Sequence, residues 1–476
     1  MPAMLYQPTF DSVKTHPLPG WYDAAKFGIF IHWGLYSVPA FAPRGEMVAE
    51  KLLKGELGFA ESPYAEWYQN SLRLTGSATA QYHAQTYGAD FRYEQFAPQF
   101  NEQIRKWDPK AWAELFASAG ARYVVLVSKH HDGFVMWNSR HKNPRLANWQ
   151  ASRDIAGELT QAVNSRGMKM GFYYSSLLDW SFTQRPINSL ADLLAGSDTS
   201  AAYLAYVEAH WRELIERYDP WILWSDIGYP PGYDLPKLWA DFYNRKPEGV
   251  VNDRWMQLPK FMFSGAGRFM LTQMLKRMGQ GKPPKPAHAD FVTPEYATLD
   301  HIATHKWETC RGIGNSFGYN QFEDAGDYQQ ADDLIRLLAD IVSKNGNLLL
   351  NVGPRPDGSL PPQQVEALEG LGAWLEANGE AIYGTRPWKR SNEPEADGAE
   401  VRYTSKKEVV YAILTKMPAN RLLSLPVEDV HGTVTLLETT DTLQVERSNQ
   451  KLHIIIPEWI SGKAIPVIKI KTSDKG

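Results

Sequence analysis

The stretch Ala121 to His131 reads ARYVVLVSKHH. Through Ser128 it is an apolar run rich in β-branched residues, and a lysine and two histidines follow at once. An apolar run without polar alternation marks a strand buried on both faces, as in a parallel sheet covered by helices. The same texture recurs on either side. Strand candidates are Lys26 to Trp33 (KFGIFIHW), Met168 to Tyr174 (MKMGFYY), Pro220 to Asp226 (PWILWSD) and Gly249 to Arg254 (GVVNDR). Two more follow at Lys306 to Cys310 and at Asn347 to Val352 (NLLLNV). Amphipathic helical patterns lie between them at Asp108–Ala119, Ile155–Ser165, Ala201–Tyr218, Leu235–Tyr243, Tyr328–Ser343 and Pro362–Ala377. This alternation predicts an α/β fold, an irregular (β/α)8-like barrel with long insertions. A doubly wound open sheet is the rival, but no glycine-rich phosphate loop follows the first strand.

After Trp388 the texture changes. From about Ala396 to Ile470 the helical period is lost, and VVYAILT, GTVTLLET and LHIIIP alternate between turn residues. That pattern predicts a small antiparallel β-sandwich. Pro387 to Asp397 (PWKRSNEPEAD) reads as the linker, giving a catalytic barrel over 1–386 and a sandwich over 387–476. Trp459 is the one tryptophan after Ala396, so the sandwich reads as a structural buttress rather than a sugar-binding module.

Composition narrows the function. Lys+Arg number 50 against 54 Asp+Glu, a net charge of −4, which argues against a nucleic-acid partner. The chain carries 17 Trp, 23 Tyr and 19 Phe, rings that suit sugar faces as well as a large core. A single cysteine, Cys310, forbids an intramolecular disulfide. That fits a reducing cytoplasm and equally an exported bacterial protein whose leader has been removed, since MPAMLYQPTF lacks a leader pattern. No apolar run is long enough for a membrane span.

The first five strand candidates end in His32, His130 with His131, Tyr174, Asp226 and Arg254. In a parallel barrel these ends open on one face, where catalysis takes place. Two chemistries fit. A metal hydrolase would use the histidines and Asp226 as ligands, although adjacent His130 and His131 should diverge in extended chain. Glycoside hydrolysis would use two carboxylates, with histidines and aromatics gripping the sugar. Trp33, Trp67, Trp137, Trp224 and Trp307 lie beside the polar candidates and favour the second chemistry. Each tryptophan taken alone reads first as a core residue.

A longer set of segments carries a specific resemblance. WYDAAKFGIFIHWGLYSVPAF, AEWYQNS, DPKAWAELFASAGARYVVLVSKHHDGFVMWNS, GFYYSSLLDW and PWILWSDIGYP resemble the retaining α-L-fucosidases of glycoside hydrolase family 29. So do VVNDRW, DFVTPEY, KWETC with SFGYN, and NGNLLLNVGPRPDG, in order from Trp21 to Gly358. The resemblance implies a barrel followed by a β-sandwich, and an exo-acting hydrolase of terminal α-L-fucosyl residues without cofactor or metal.

It also implies roles. Asp226 of the WSD motif is the expected nucleophile and Glu295 of TPEY the expected acid/base. Glu66 of AEWY is the competing carboxyl, and Glu308 of KWETC is read as structural. Retention requires the two catalytic carboxyls about 5–5.5 Å apart. His32, His130, His131, Glu66, Trp67 and Arg254 are expected to bind the sugar hydroxyls, with Trp224 and Trp307 beside them. Tyr174 is expected on the nucleophile side. Phe30 and Phe317 are candidates for an apolar patch under the fucose methyl.

One segment departs from the pattern. Residues 256–290 carry Lys260, Arg268, Lys276, Arg277, Lys282 and Lys285 against Asp290 alone. GRFMLTQMLKRMGQG places Phe269, Met270, Met274, Leu275 and Met278 at helical spacing, the pattern of a helix covering the barrel. Its functional counterpart is a basic lid or subunit contact facing a sulfated fucan. Partners are therefore a fucosylated oligosaccharide or polysaccharide, with a homo-oligomer compatible with the sequence. A fucose-binding protein without turnover and a metal-dependent barrel hydrolase are the competing functions.

Overall fold

A computed structural model describes residues 5–45, 58–189, 192–193, 196–267, 269–270, 273, 286–394, 398–428, 430–448, 450–460 and 465–472. Seven parallel strands form one sheet: β1 (Phe27–Ile31), β2 (Tyr123–Lys129), β3 (Lys169–Ser175), β4 (Ile222–Asp226), β5 (Val250–Val251), β6 (Trp307–Gly312) and β7 (Gly346–Val352). Their order is β5-β4-β3-β2-β1-β7-β6. The gap between β5 and β6 is filled by residues 290–296. Asp290 N donates to Val251 O at 3.0 Å on one side, and Val292 and Glu295 bridge Trp307 and Cys310 on the other. This stave stands where a (β/α)8 barrel has an eighth strand, and it closes the ring.

Helices follow most strands, and their starts are set locally. Pro109–Ser118, Ile155–Ser165, Ala201–Tyr218 and Leu235–Arg245 open on Asp108, Asp154, Ser200 and Asp234. Each of these side chains accepts a backbone N–H of the first turn. Such caps are worth about 0.5–2 kcal/mol each. Helices Ala331–Ser343 and Pro362–Asn378 complete the outer layer.

The strands are buried on both faces because two cores flank them. Phe30, Tyr123, Val125, Tyr173, Ile222, Trp224 and Leu349 pack inside the barrel. Ile29, Ile31, Val124, Leu126, Phe172, Leu223, Leu348 and Leu350 pack between strands and helices. Side-chain alternation along each strand assigns residues to one core or the other. At Gly28 the alternation leaves room for a neighbour: a Cβ there would lie 2.4 Å from the Tyr123 ring.

The C-terminal part is two antiparallel sheets, of order β12-β15-β10-β9-β8 and β11-β14-β13. The first comprises β8 (Arg386–Pro394), β9 (Glu400–Lys406), β10 (Val409–Lys416), β12 (Val430–Leu436) and β15 (Val467–Thr472). The second comprises β11 (Leu422–Leu425), β13 (Val445–Ser448) and β14 (Lys451–Ile455). Val401, Tyr403, Leu414, Leu423, Leu452 and Ile454 fill the space between them. The linker expected at Pro387–Asp397 is overturned over most of its length, because β8 pairs with β9 there. The sandwich rests on the barrel helices: Arg336 Nε donates to Thr415 O at 3.1 Å, Trp374 Nε1 to Ile465 O at 2.8 Å, and Arg402 pairs with Asp340. No described helix is long and apolar enough to cross a membrane.

Candidate active site

The C-terminal strand ends open into a cavity of about 620 Å³. Its lining includes His32, Glu66, Trp67, His130, His131, Tyr173, Trp224, Asp226, Arg254 and Glu295, with Phe30 and Phe317 as apolar walls. Asp226 is the last residue of β4 and is almost wholly buried. Its Oδ2 accepts the Tyr173 hydroxyl at 2.8 Å, and its Oδ1 accepts Arg254 Nη1 at 3.0 Å. His131 Nε2 lies 4.0 Å from Oδ2. Burial pushes the Asp226 carboxyl up, but Arg254 and the Tyr173 hydrogen bond outweigh it and hold the pKa below the usual range.

Glu295 projects from the closing stave. Its Oε2 accepts Arg254 Nη2 at 3.1 Å and its Oε1 the Tyr64 hydroxyl at 3.5 Å. Here burial prevails over Arg254, and with the nearby Asp226 charge it raises the pKa above the ordinary value. One guanidinium thus bridges two carboxyls whose environments push them in opposite directions. Arg254 is fixed in turn by Thr293, through Nε to Oγ1 at 3.0 Å and Nη2 to the carbonyl at 3.1 Å, and lies over the Trp224 ring.

Both carboxyl-bearing residues are followed by one with left-handed backbone. Ile227 has φ of 61° and Tyr296 φ of 49°. A left-handed β-branched or aromatic residue costs on the order of 1–3 kcal/mol, and such strain gathers at functional sites.

The imidazoles are neutral hydrogen-bonding groups. Asn351 Nδ2 donates to Phe317 O at 2.7 Å, which leaves Asn351 Oδ1 to accept His32 Nδ1–H at 2.6 Å. Ser175 Oγ donates to Leu178 O at 2.8 Å, so it accepts His131 Nδ1–H at 2.6 Å. In both rings Nε2 therefore carries the lone pair. Burial lowers the His32 pKa to about 4 and that of His131 to about 3. His130 is also driven well down by burial, and its Nδ1 is buried without a hydrogen-bond partner among the described residues. His130 and His131 do not diverge as expected. β2 ends at Lys129 and the chain turns, Gly133 N donating to His130 O at 3.1 Å, so both rings line the cavity with centroids 4.0 Å apart. Among the described residues no three of His, Cys, Asp and Glu are grouped as a metal ion would need.

Glu66 is buried and accepts Gly318 N–H at 2.8 Å. Burial raises its pKa to about 8, so it carries a proton at neutral pH. Trp67 stacks on Phe59, with centroids 4.3 Å apart, and stands edge-on to His131. Phe30 and Phe317 both touch His32, with centroids 4.6 and 4.9 Å away. Glu308 lies inside the barrel beneath this floor and accepts Tyr22, Tyr123 and Trp224 donors.

A sequence model described as Alpha-L-fucosidase matches residues 2–380, and one described as Alpha-L-fucosidase C-terminal domain matches residues 395–471. The chain belongs to the α-L-fucosidase family. It is 34% identical to the Alpha-L-fucosidase of Dictyostelium discoideum, covering 91% of this chain and 86% of that one. It is 33% identical to the Homo sapiens Tissue alpha-L-fucosidase, covering 98% and 90%. The crystal structure of Thermotoga maritima alpha-fucosidase in complex with a mechanism based inhibitor has 39% identity and a TM-score of 0.83, covering 98% of this chain and 100% of that one. The enzyme is thus an α-L-fucosidase, a glycoside hydrolase acting on fucosylated glycans, on a (β/α)8-like barrel with a β-sandwich.

Two expected positions in this α-L-fucosidase lie elsewhere. Tyr174 faces the helices, its hydroxyl 3.0 Å from His210 Nδ1 and its ring under Lys129. Trp307 likewise points outward, donating Nε1–H to Lys344 O at 2.9 Å. Both sit on the outward side of the alternation: Tyr173 and Glu308, one residue away, face inward. Trp33 and Trp137 are core residues as well. The sequence reading missed Tyr173, Tyr64, Tyr296, Phe59 and Ile227 in the lining. Strand parity finds Tyr173, since the register pairs it with Trp224 and pairs Ser175 with Asp226. Of the basic insert, Lys260 is described, whereas Arg268, Lys276, Arg277, Lys282 and Lys285 lie outside the described residues, as do Met274, Leu275 and Met278.

Proposed function

We propose that the enzyme removes terminal α-L-fucosyl residues by a retaining double displacement with Asp226 as nucleophile and Glu295 as acid/base. The carrying observation is the Arg254 bridge between a carboxyl held ionised and one held towards its protonated form. Asp226 attacks the anomeric carbon, and the glycosidic bond breaks as Glu295 gives its proton to the departing oxygen. Glu295 then takes a proton from water, which attacks the β-fucosyl ester and frees Asp226.

The remaining groups fit one sugar ring. His32 and His131 present Nε2 lone pairs that accept hydroxyl protons, and protonated Glu66 donates to a hydroxyl oxygen. Phe30 and Phe317 provide an apolar place for the C5 methyl. A sugar with a hydroxyl on that carbon would leave it unpaired, a cost of about 1–3 kcal/mol. Proton NMR of the first-formed sugar tests the reading: initial α-L-fucose is expected, and initial β-L-fucose would mean inversion. Extension to sulfated fucans rests on the basic residues of 256–290. Unchanged kinetics of Lys276→Ala/Arg277→Ala on sulfated against neutral fucosides would remove it. Assembly into a homo-oligomer is read by sedimentation.

A further inference from the structure

The beginning of the closing stave is held by a polar cluster away from the cavity. His16 lies between the short helices Phe10–Val13 and Gly20–Ala25, and the side chains of His16 and Asp290 are 0% and 1% exposed. His16 Nδ1 is 2.8 Å from Asp290 Oδ1, and Nε2 is 3.0 Å from the Pro247 carbonyl. A carbonyl oxygen carries no proton, so Nε2 must donate. Asp290 Oδ2 already accepts the Tyr243 hydroxyl at 2.8 Å and Val251 N–H at 2.7 Å. The bond between Nδ1 and Oδ1 needs a proton of its own. A neutral ring facing an ionised carboxylate would bury a lone pair against a charge. The Tyr243 ring lies flat against His16, with centroids 3.8 Å apart and an interplanar angle of 7°, and offers its electron-rich face to a cation.

We propose that doubly protonated His16 clamps Asp290 and thereby acts as a positioning residue for Glu295, which follows on the same stave. The proposal rests on Glu295 being the acid/base. The stave is bonded along β6 by Val292 N to Lys306 O, Glu308 N to Val292 O, Cys310 N to Pro294 O and Tyr296 N to Cys310 O, but towards β5 its backbone bond is that of Asp290 N to Val251 O. On the β5 side its placement therefore depends on side-chain anchors. Asp290 fixes one end, and Thr293, held by Asp253 and Arg254, fixes the other just before Glu295.

The groups around His16 are Asp290 on the stave, Tyr243 on the helix Leu235–Arg245, and Tyr6 on the N-terminal segment, with ring centroids 5.7 Å apart for Tyr6. His288 joins through the Tyr243 hydroxyl at 2.6 Å, and Lys14 acts on His288. Burial opposes a charge on His16, but the hydrogen bond and charge of Asp290 outweigh it and raise the pKa above the ordinary 6.5. The proton is lost as pH rises through that raised value, so the clamp loosens on the alkaline side.

The test uses two fucosides, one with a dinitrophenolate leaving group that departs without a proton and one with a sugar alcohol that requires one. General acid catalysis contributes roughly 10²–10⁴-fold, so a misplaced acid in His16→Gln should lower kcat/KM about tenfold on the second substrate and little on the first. Glu295→Gln, run alongside, should show the same selectivity more strongly. Equal losses on both substrates in His16→Gln, with Glu295→Gln still selective, would overturn the clamp. Absence of selectivity in Glu295→Gln would instead overturn the acid/base reading beneath it. Should His16→Gln fail to fold, nitrogen NMR of the wild-type ring decides. Protons on both nitrogens at about pH 6.5, where a free imidazole is half-charged, are expected. A neutral ring there would contradict the clamp.

Discussion

Tyr173 donates its hydroxyl to Asp226 Oδ2 at 2.8 Å across the β3–β4 pair, in a part of the barrel where both side chains are buried. That bond helps keep the carboxyl ionised against a desolvation that favours its neutral form. A hydrogen bond to a charged group contributes about 1.5–3 kcal/mol, or roughly one to two pH units. In Tyr173→Phe the Asp226 pKa should rise, and the acid limb of kcat/KM should move to higher pH by about one unit. An unmoved limb would detach Tyr173 from the ionisation of Asp226.

Arg254 lowers the pKa of both Asp226 and Glu295. Arg254→Lys offers a point charge in place of a fork and cannot bridge the two carboxyls. Breaking a buried pair costs about 3–5 kcal/mol, so kcat/KM should fall roughly 100-fold or more. Both limbs of the pH profile should shift upward together, which kinetics across the pH range would report.

Neighbouring Tyr174 supplies the contrast. Tyr174→Phe removes the partner of His210 Nδ1 outside the barrel. Loss of that buried bond should cost about 1–3 kcal/mol of stability while kcat and KM change less than about twofold. Thermal unfolding and kinetics on one preparation separate the two effects.

Glu66 makes a prediction about stability. Its pKa rises from 4.5 to about 8 on folding, so the folded protein holds this proton more tightly than the unfolded chain. The stabilisation is complete below the unfolded value and is lost as pH rises through the folded one. Glu66→Gln keeps an acceptor for Gly318 N–H and has no proton to lose. The melting temperature of wild type should fall relative to Glu66→Gln between about pH 4.5 and pH 8. Parallel curves would place the Glu66 proton elsewhere.

Much of the fold was legible because buried parallel strands are written as unbroken apolar runs, and the helix patterns Ile155–Ser165 and Ala201–Tyr218 have the observed bounds. The stave at 290–296 was illegible as a strand: DFVTPEY holds a proline and makes only isolated bridges. β8 was mistaken for a linker because an edge strand paired on one side accommodates Pro387, Pro394 and many polar residues. At the site, residue types at strand ends pointed to the cavity, but choosing Tyr173 over Tyr174 and setting Trp307 aside required strand parity. That parity was available from Asp226 and the β3–β4 register once pairing was known. Lining from a loop, such as Tyr64, carries no period at all.

The central claim is that Asp226 forms the bond to the sugar, and Asp226→Gly with added azide tests it most directly. With an activated α-L-fucoside, the variant should be inactive in buffer alone and recover turnover with azide, releasing β-fucosyl azide. Full activity of Asp226→Gly without azide, or an α-fucosyl azide product, would contradict the account.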